Sequence, residues 1–210
     1  MKKKTIAVIV IVCVLLVAAA GIAVGRRYMS KQEEDFFSAA KDASSAGKTV
    51  VATVDGKNIY REDVEFLKAA NRLSAQHLPA GTASIAVSAK SDQEILDQLI
   101  QNEVLLKEAE KKNLEYSLEE AKKQQKIFYD NIMQANDEQT EFLKNYLSEM
   151  GLDEEGYLQV AAKGYRDLMT RSNLYNDYIS HLSAAQAADP EAAFQSYVTQ
   201  LVSQASVSYS

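Results

Sequence analysis

The chain has one cysteine, Cys13, set inside an apolar run, so no intramolecular disulfide can brace the fold. Tryptophan is absent, and the two histidines, His77 and His181, lie far apart without ligand-type spacing around them. The eight glycines are scattered, which excludes a glycine-rich phosphate loop. No Asn-x-Ser/Thr acceptor occurs. The paired carboxylates Glu119-Glu120 and Glu154-Glu155 fall in first helical turns, where acids favour the helix dipole. With no nucleophile, base or metal set in view, no catalytic residue, metal site or cofactor is expected, and the chain reads as a non-enzyme.

Basic residues are scarce outside the N-terminus. Lys2, Lys3, Lys4, Arg26 and Arg27 sit there, and the remaining 18 basic residues face 29 acidic ones, a balance of about −11. Such a surface repels phosphate backbones, so nucleic acid is not an expected partner.

What the chain does have begins with a long apolar run. Residues 5–25 carry no charge, with three lysines before them and two arginines after. A helix of that length spans roughly 30 Å, the hydrocarbon thickness of a membrane. A cleavable signal peptide is the alternative, and Ala18-Ala19-Ala20 offers the small residues that signal peptidase accepts. The run exceeds the roughly 7–15 residues usual for a signal core, which favours a retained anchor. Lipoprotein processing at Cys13 is disfavoured by the bulky Val12 before it and the apolar residues that continue to Val24. The lysines at 2–4 put the N-terminus inside. The expectation is a single-pass anchor over 1–28 in the cell membrane, a juxtamembrane stalk and linker over 29–48, and an extracytoplasmic domain over 49–210. If the signal is cleaved, the domain is secreted.

Within that domain, Val50 to Tyr60 (VVATVDGKNIY) reads as a hairpin, with Asp55-Gly56 supplying two residues of positive φ between β-branched runs. An isolated hairpin is marginal in water and needs a partner strand. The candidate is residues 205–209 at the far end, whose alternation places Ala205, Val207 and Tyr209 on one face. Everything between reads as helix. The first runs from Arg61 to about Gln76, with Val64, Leu67, Ala70 and Leu73 inward and Phe66 off that stripe. A loop over 77–90 follows. Ser91 and Glu94 form a capping box for a helix to about Lys112, ended by Asn113. Its broad apolar face is Ile95, Leu96, Leu99, Ile100, Val104, Leu106 and Ala109. Ser117 and Glu120 open the next, with Leu118, Ala121, Gln125, Phe128 and Ile132 inward. A short helix ends at Gly151, and Asp153 caps a long one to about Leu182, with Leu158, Ala162, Tyr165, Leu168 or Met169, Tyr175 and Ile179 inward. Asp189-Pro190 starts the last. The fold class is mostly α with one small sheet.

Three stretches, VVATVDGKNIYREDVEFL, EILDQLIQNEVLLKEAEKKNL and FLKNYLSEMGLDEEGYLQVAAKGYRDLMTR, resemble the N-terminal chaperone domain of SurA and PrsA-type extracytoplasmic folding factors, related to the substrate-binding part of trigger factor. YVTQLVSQASVSYS fits that family's closing helix and strand. The resemblance implies a peptide-binding module for unfolded or exported polypeptides. Members often carry a parvulin-type prolyl isomerase domain between the helical arm and the closing helix. Here seven residues, 183–189, separate those elements, too few for a domain. Tyr60 stands where the family usually caps its first helix with Ser or Thr.

Eleven tyrosines and five methionines suit a surface that accepts varied apolar peptides. Phe128, Tyr146, Met150, Tyr157, Tyr165 and Met169 are the peptide-binding candidates, and ordinary helix packing would use the same spacing. Two functions follow from these features. One is a membrane-anchored holdase without isomerase activity, joined to the membrane by its N-terminal helix. The other is an anchored adaptor for one dedicated partner.

Overall fold

A computed structural model describes residues 31–45, 47–77, 90–135 and 138–210. The expected anchor at 5–25 and most of the loop at 77–90 lie outside them. Among the described residues no helix is long and apolar enough to cross a membrane.

The hairpin forms as its residues dictate. Strand β1 (Val50–Val54) turns through Asp55 and Gly56, both at positive φ, into β2 (Lys57–Tyr60). The register pairs Ala52 with Ile59 and Val54 with Lys57. The far end of the chain returns as β3 (Val207–Tyr209), antiparallel to β1, so β1 is central in the order β2-β1-β3. This strand is shorter than the expected 205–209, because Ala205 still caps the preceding helix by donating to the Leu201 and Val202 carbonyls. Val207 is half-buried, and Tyr209 on the same face is 63% exposed, since the strand runs beyond the core that would cover it. Asp55 does more than turn the hairpin. Its N–H donates to the Ser206 carbonyl at 2.8 Å and its carboxylate accepts from the Ser206 N–H at 2.9 Å. That backbone hydrogen bond, with the Lys107 ammonium, holds the Asp55 carboxyl below its ordinary range.

Helix α1 (Lys31–Ser44) precedes the sheet, and α2 (Arg61–His77) follows it directly. Then come α3 (Asp92–Lys111), α4 (Leu118–Ala135), α5 (Glu138–Met150), α6 (Glu154–Ser180) and α7 (Pro190–Gln204). The boundaries sit where short-range chemistry puts them. Ser91 and Glu94 complete a reciprocal capping box. Asn113 and Gly151 take positive φ, and each is followed by a bond closing a Schellman motif, Leu114 to the Ala109 carbonyl and Leu152 to the Leu147 carbonyl. Asp153 accepts from Gly156 and Asp189 from Ala192. Between α6 and α7 lies only a short connection with a 3-10 turn at Gln186–Ala188.

The base of the molecule is the sheet on α3. Ala52, Val54 and Ile59 pack with Ile100 and Val104, and Leu201 and Val202 of α7 close the far side. Val64 and Leu67 of α2 join Ile95 of α3 beside it. Helices α4, α5 and α6 form an arm, with α4 and α6 side by side. In the stretch expected as stalk and linker, α1 is built into the domain instead: Phe36, Phe37 and Ala40 are buried against α2 and α5. Its apolar residues fall on one helical face, and that face needs a partner.

Candidate peptide-binding arm

The arm is set by two fixed joints. At its root, the segment between α3 and α4 is pinned to α6: the Tyr116 N–H donates to Thr170 Oγ1 at 2.9 Å, and Asn173 Nδ2 donates to the Leu114 carbonyl at 3.0 Å. At its end, buried Thr140 of α5 donates to the Ile132 carbonyl of α4. Between them runs the α4–α6 seam, built from Ala121, Gln125 and Tyr129 facing Leu158, Ala161 and Ala162. Small residues let the two helices lie close. Gln125 is 2% exposed, and among the described residues its amide nitrogen has no hydrogen-bond partner. A buried donor without a partner costs about 1–3 kcal/mol.

The six residues expected to bind peptide fall into three places. Phe128 and Tyr165 meet edge to face across the seam at 6.2 Å, and Tyr165 meets Tyr116 likewise at 5.9 Å. All three rings are half-buried, forming a short ladder along the arm. Tyr146 and Tyr157 are interior residues, 5% and 4% exposed, packed against each other at the end of the arm. They cannot touch a peptide while that core is closed. Burial raises the Tyr146 phenol, and it pushes the Tyr157 phenol, beside Tyr146 and Tyr129, up to about 12. Met150 lies half-buried on the edge of the same cluster, with Leu147, Met133 and Ile132. Met169 is half-buried on α6, next to buried Leu168.

Two of the exposed apolar residues of the arm, Ile127 and Val160, are ones that the helical stripe did not single out. Ile127 is 52% exposed and Val160 51%, each on the side of its helix away from the seam. Leu118, expected to point inward, is 45% exposed at the first turn of α4. Charged pairs, Lys122 with Glu155 and Lys126 with Asp130 and Glu154, rim the seam. They lower the Glu155 carboxyl and raise the Lys126 ammonium, but exposed pairs of this kind add little stability.

A cleft of about 320 Å³ lies between the hairpin turn, α3 and α6. Lys57 pairs there with Glu103, Lys107 with Asp55 and Arg166 with Asp167, and Glu110 and Glu115 also line it. The first two pairs tie the hairpin to α3, and the third lies along α6. Among the described residues no group of three or more His, Cys, Asp or Glu is placed to hold a metal ion.

A family profile described as a SurA-like N-terminal domain matches residues 1–174. No curated protein matches the chain. The matched stretch ends inside α6, so the closing helix and strand lie beyond it.

Proposed function

We propose, for a chain that belongs to the SurA-like N-terminal domain family, that its arm captures unfolded exported polypeptides and holds them against aggregation, without ATP and without prolyl isomerisation. A chaperone-type, peptide-binding role goes with the family in general; the holdase activity and the membrane tether are our reading. The observation that carries it is the arm's surface. Ile127, Val160 and Leu118 stand in solvent and the Tyr116–Tyr165–Phe128 ladder is only half-covered, on helices that need no such residues there for packing.

Each apolar side chain of a client that is buried contributes roughly 1.5–3 kcal/mol, so a few shallow contacts give weak, reversible capture. The apolar run at 5–25, read as an anchor with the lysines at 2–4 inside the cell and the domain outside, would raise the local concentration of the arm where exported chains emerge. The short α6–α7 connection, where relatives often carry an isomerase domain, supports binding without that catalysis.

The test is light scattering of two unrelated denatured proteins diluted into the full chain. Suppression is expected, reduced several-fold by Phe128→Ser with Tyr165→Ser while helicity is kept. No suppression by the wild-type chain, with one protein co-purifying from membranes at fixed stoichiometry, would replace this reading by the dedicated adaptor.

A further inference from the structure

The largest apolar cluster among the described residues lies at the end of the arm, and α1 is at its centre. Phe36 is 1% exposed and Phe37 is 3%. The Phe36 ring contacts Phe66 of α2 at 5.5 Å, and Phe142 and Tyr146 of α5 at 6.3 and 6.2 Å. Phe37 stacks on Phe142 at 5.5 Å. Helix α1 therefore lies between α2 and α5 with two adjacent aromatic rings filling the space that separates them. Its other face, Glu34, Asp35, Ser38, Lys41 and Asp42, is exposed.

We propose that the cleft between α2 and α5 is a second binding site, for a helical client segment with two adjacent aromatic residues, and that α1 fills it until a client displaces it. The inference rests on the peptide-binding reading above and says where in the domain such a segment docks.

Three features make α1 an exchangeable occupant. It has 14 residues, and a helix of that length is marginal in water on its own, so it folds by docking. The polar ties of α1 and its connection to neighbouring helices include Lys41 on Glu149 of α5 at 2.6 Å and Lys48 on Asp63 of α2 at 3.2 Å, ion pairs near the surface that add little to its hold. The edge of the seat is adaptable: Met150, Met133 and Leu147 are half-buried around it, and unbranched methionine repacks against varied shapes. A tethered occupant competes at an effective concentration in the millimolar range, so only segments with comparable aromatic content displace it. Polar stretches of an unfolded chain would not.

The test uses the full chain in two arms. Phe36→Ser with Phe37→Ser empties the seat. This variant should bind a fluorescent peptide of residues 31–45 that the wild type does not bind. Reduced, carboxymethylated α-lactalbumin should compete with that peptide and be captured several-fold more tightly than by the wild type. A variant with wild-type helicity that binds neither would overturn the proposal. The second arm needs no variant: hydrogen exchange at residues 36–40 of the wild type should speed up when the same unfolded protein is added. Capture with exchange there unchanged or slowed would overturn it. If the wild type captures nothing while the variant binds the peptide, the cleft stands and the holdase reading falls.

Discussion

Under the sheet, Ala52, Val54 and Ile59 meet Ile100 and Val104; at the end of the arm, Phe36, Phe37, Phe142, Tyr146 and Tyr157 meet one another. The first core is aliphatic and is tied by strand pairing between residues more than 150 positions apart, Val54 with Val207. The second is aromatic and joins helices, whose backbone hydrogen bonds run within each helix, so parting them breaks side-chain contacts rather than a ladder between strands. Branched aliphatic side chains in a sheet specify one arrangement. Unbranched methionines between helices tolerate several. The base is held by strand pairing as well as by packing, and the arm's end by packing between helices.

The largest effect that would break this contrast comes from emptying each core in turn. Ile59→Ala should cost about 2–5 kcal/mol and Phe142→Ala about 3–5 kcal/mol. The distribution matters more than the size. Native-state hydrogen exchange should show Ile59→Ala lowering protection throughout, because the sheet holds both ends of the domain together. Phe142→Ala should expose α1 and α5 while β1 and α3 keep their protection. Uniform loss in both variants would mean a single cooperative unit and no separate arm end.

A smaller effect follows from the buried phenols. The Tyr157 phenol rises from an ordinary 10.0 to about 12 on burial, so between those values the unfolded chain gives up a proton that the folded chain keeps. Stability is then unaffected by this group below pH 10 and falls by about 1.4 kcal/mol per pH unit above it, levelling off past about 12. Tyr146 shifts in the same direction, also by burial. Tyr197 on α7 is raised as well, by burial and then by its hydrogen bond to Glu108. Urea melts across this range should show Tyr157→Phe flattening the decline, with the arm end as the region whose exchange recovers. A decline of unchanged slope would show that the Tyr157 site opens to water before the domain unfolds.

The base was legible in the sequence for physical reasons that are local. Asp55-Gly56 fixes a two-residue turn, Ser91 and Glu94 close a box over three residues, and Gly151 admits the left-handed conformation that ends α5. The partner strand was legible because a lone hairpin needs one. The link from Asp55 to Ser206 was not, since nothing in a turn residue says which distant backbone it will meet. On the arm, helix spacing placed Ala121, Gln125 and Leu158 inward as found. It could not separate Tyr146 and Tyr157, which are core, from Phe128 and Tyr165, which are half-exposed, because all four sit on amphipathic helices with apolar neighbours on two sides. What decides between them is α1. Its Phe36-Phe37 pair, preceded by Glu33, Glu34 and Asp35, reads as a polar stalk until α2 and α5 are seen on either side of it.

The central claim is that the arm, and not the base, takes up unfolded chain. Hydrogen exchange of the full chain with and without excess reduced, carboxymethylated α-lactalbumin tests it directly, read peptide by peptide. Slower exchange over Leu118–Ala135 and the first half of α6, with Val50–Tyr60 unchanged, is the predicted result. Protection confined to the sheet and α3, or no change anywhere at concentrations that suppress aggregation, would contradict it.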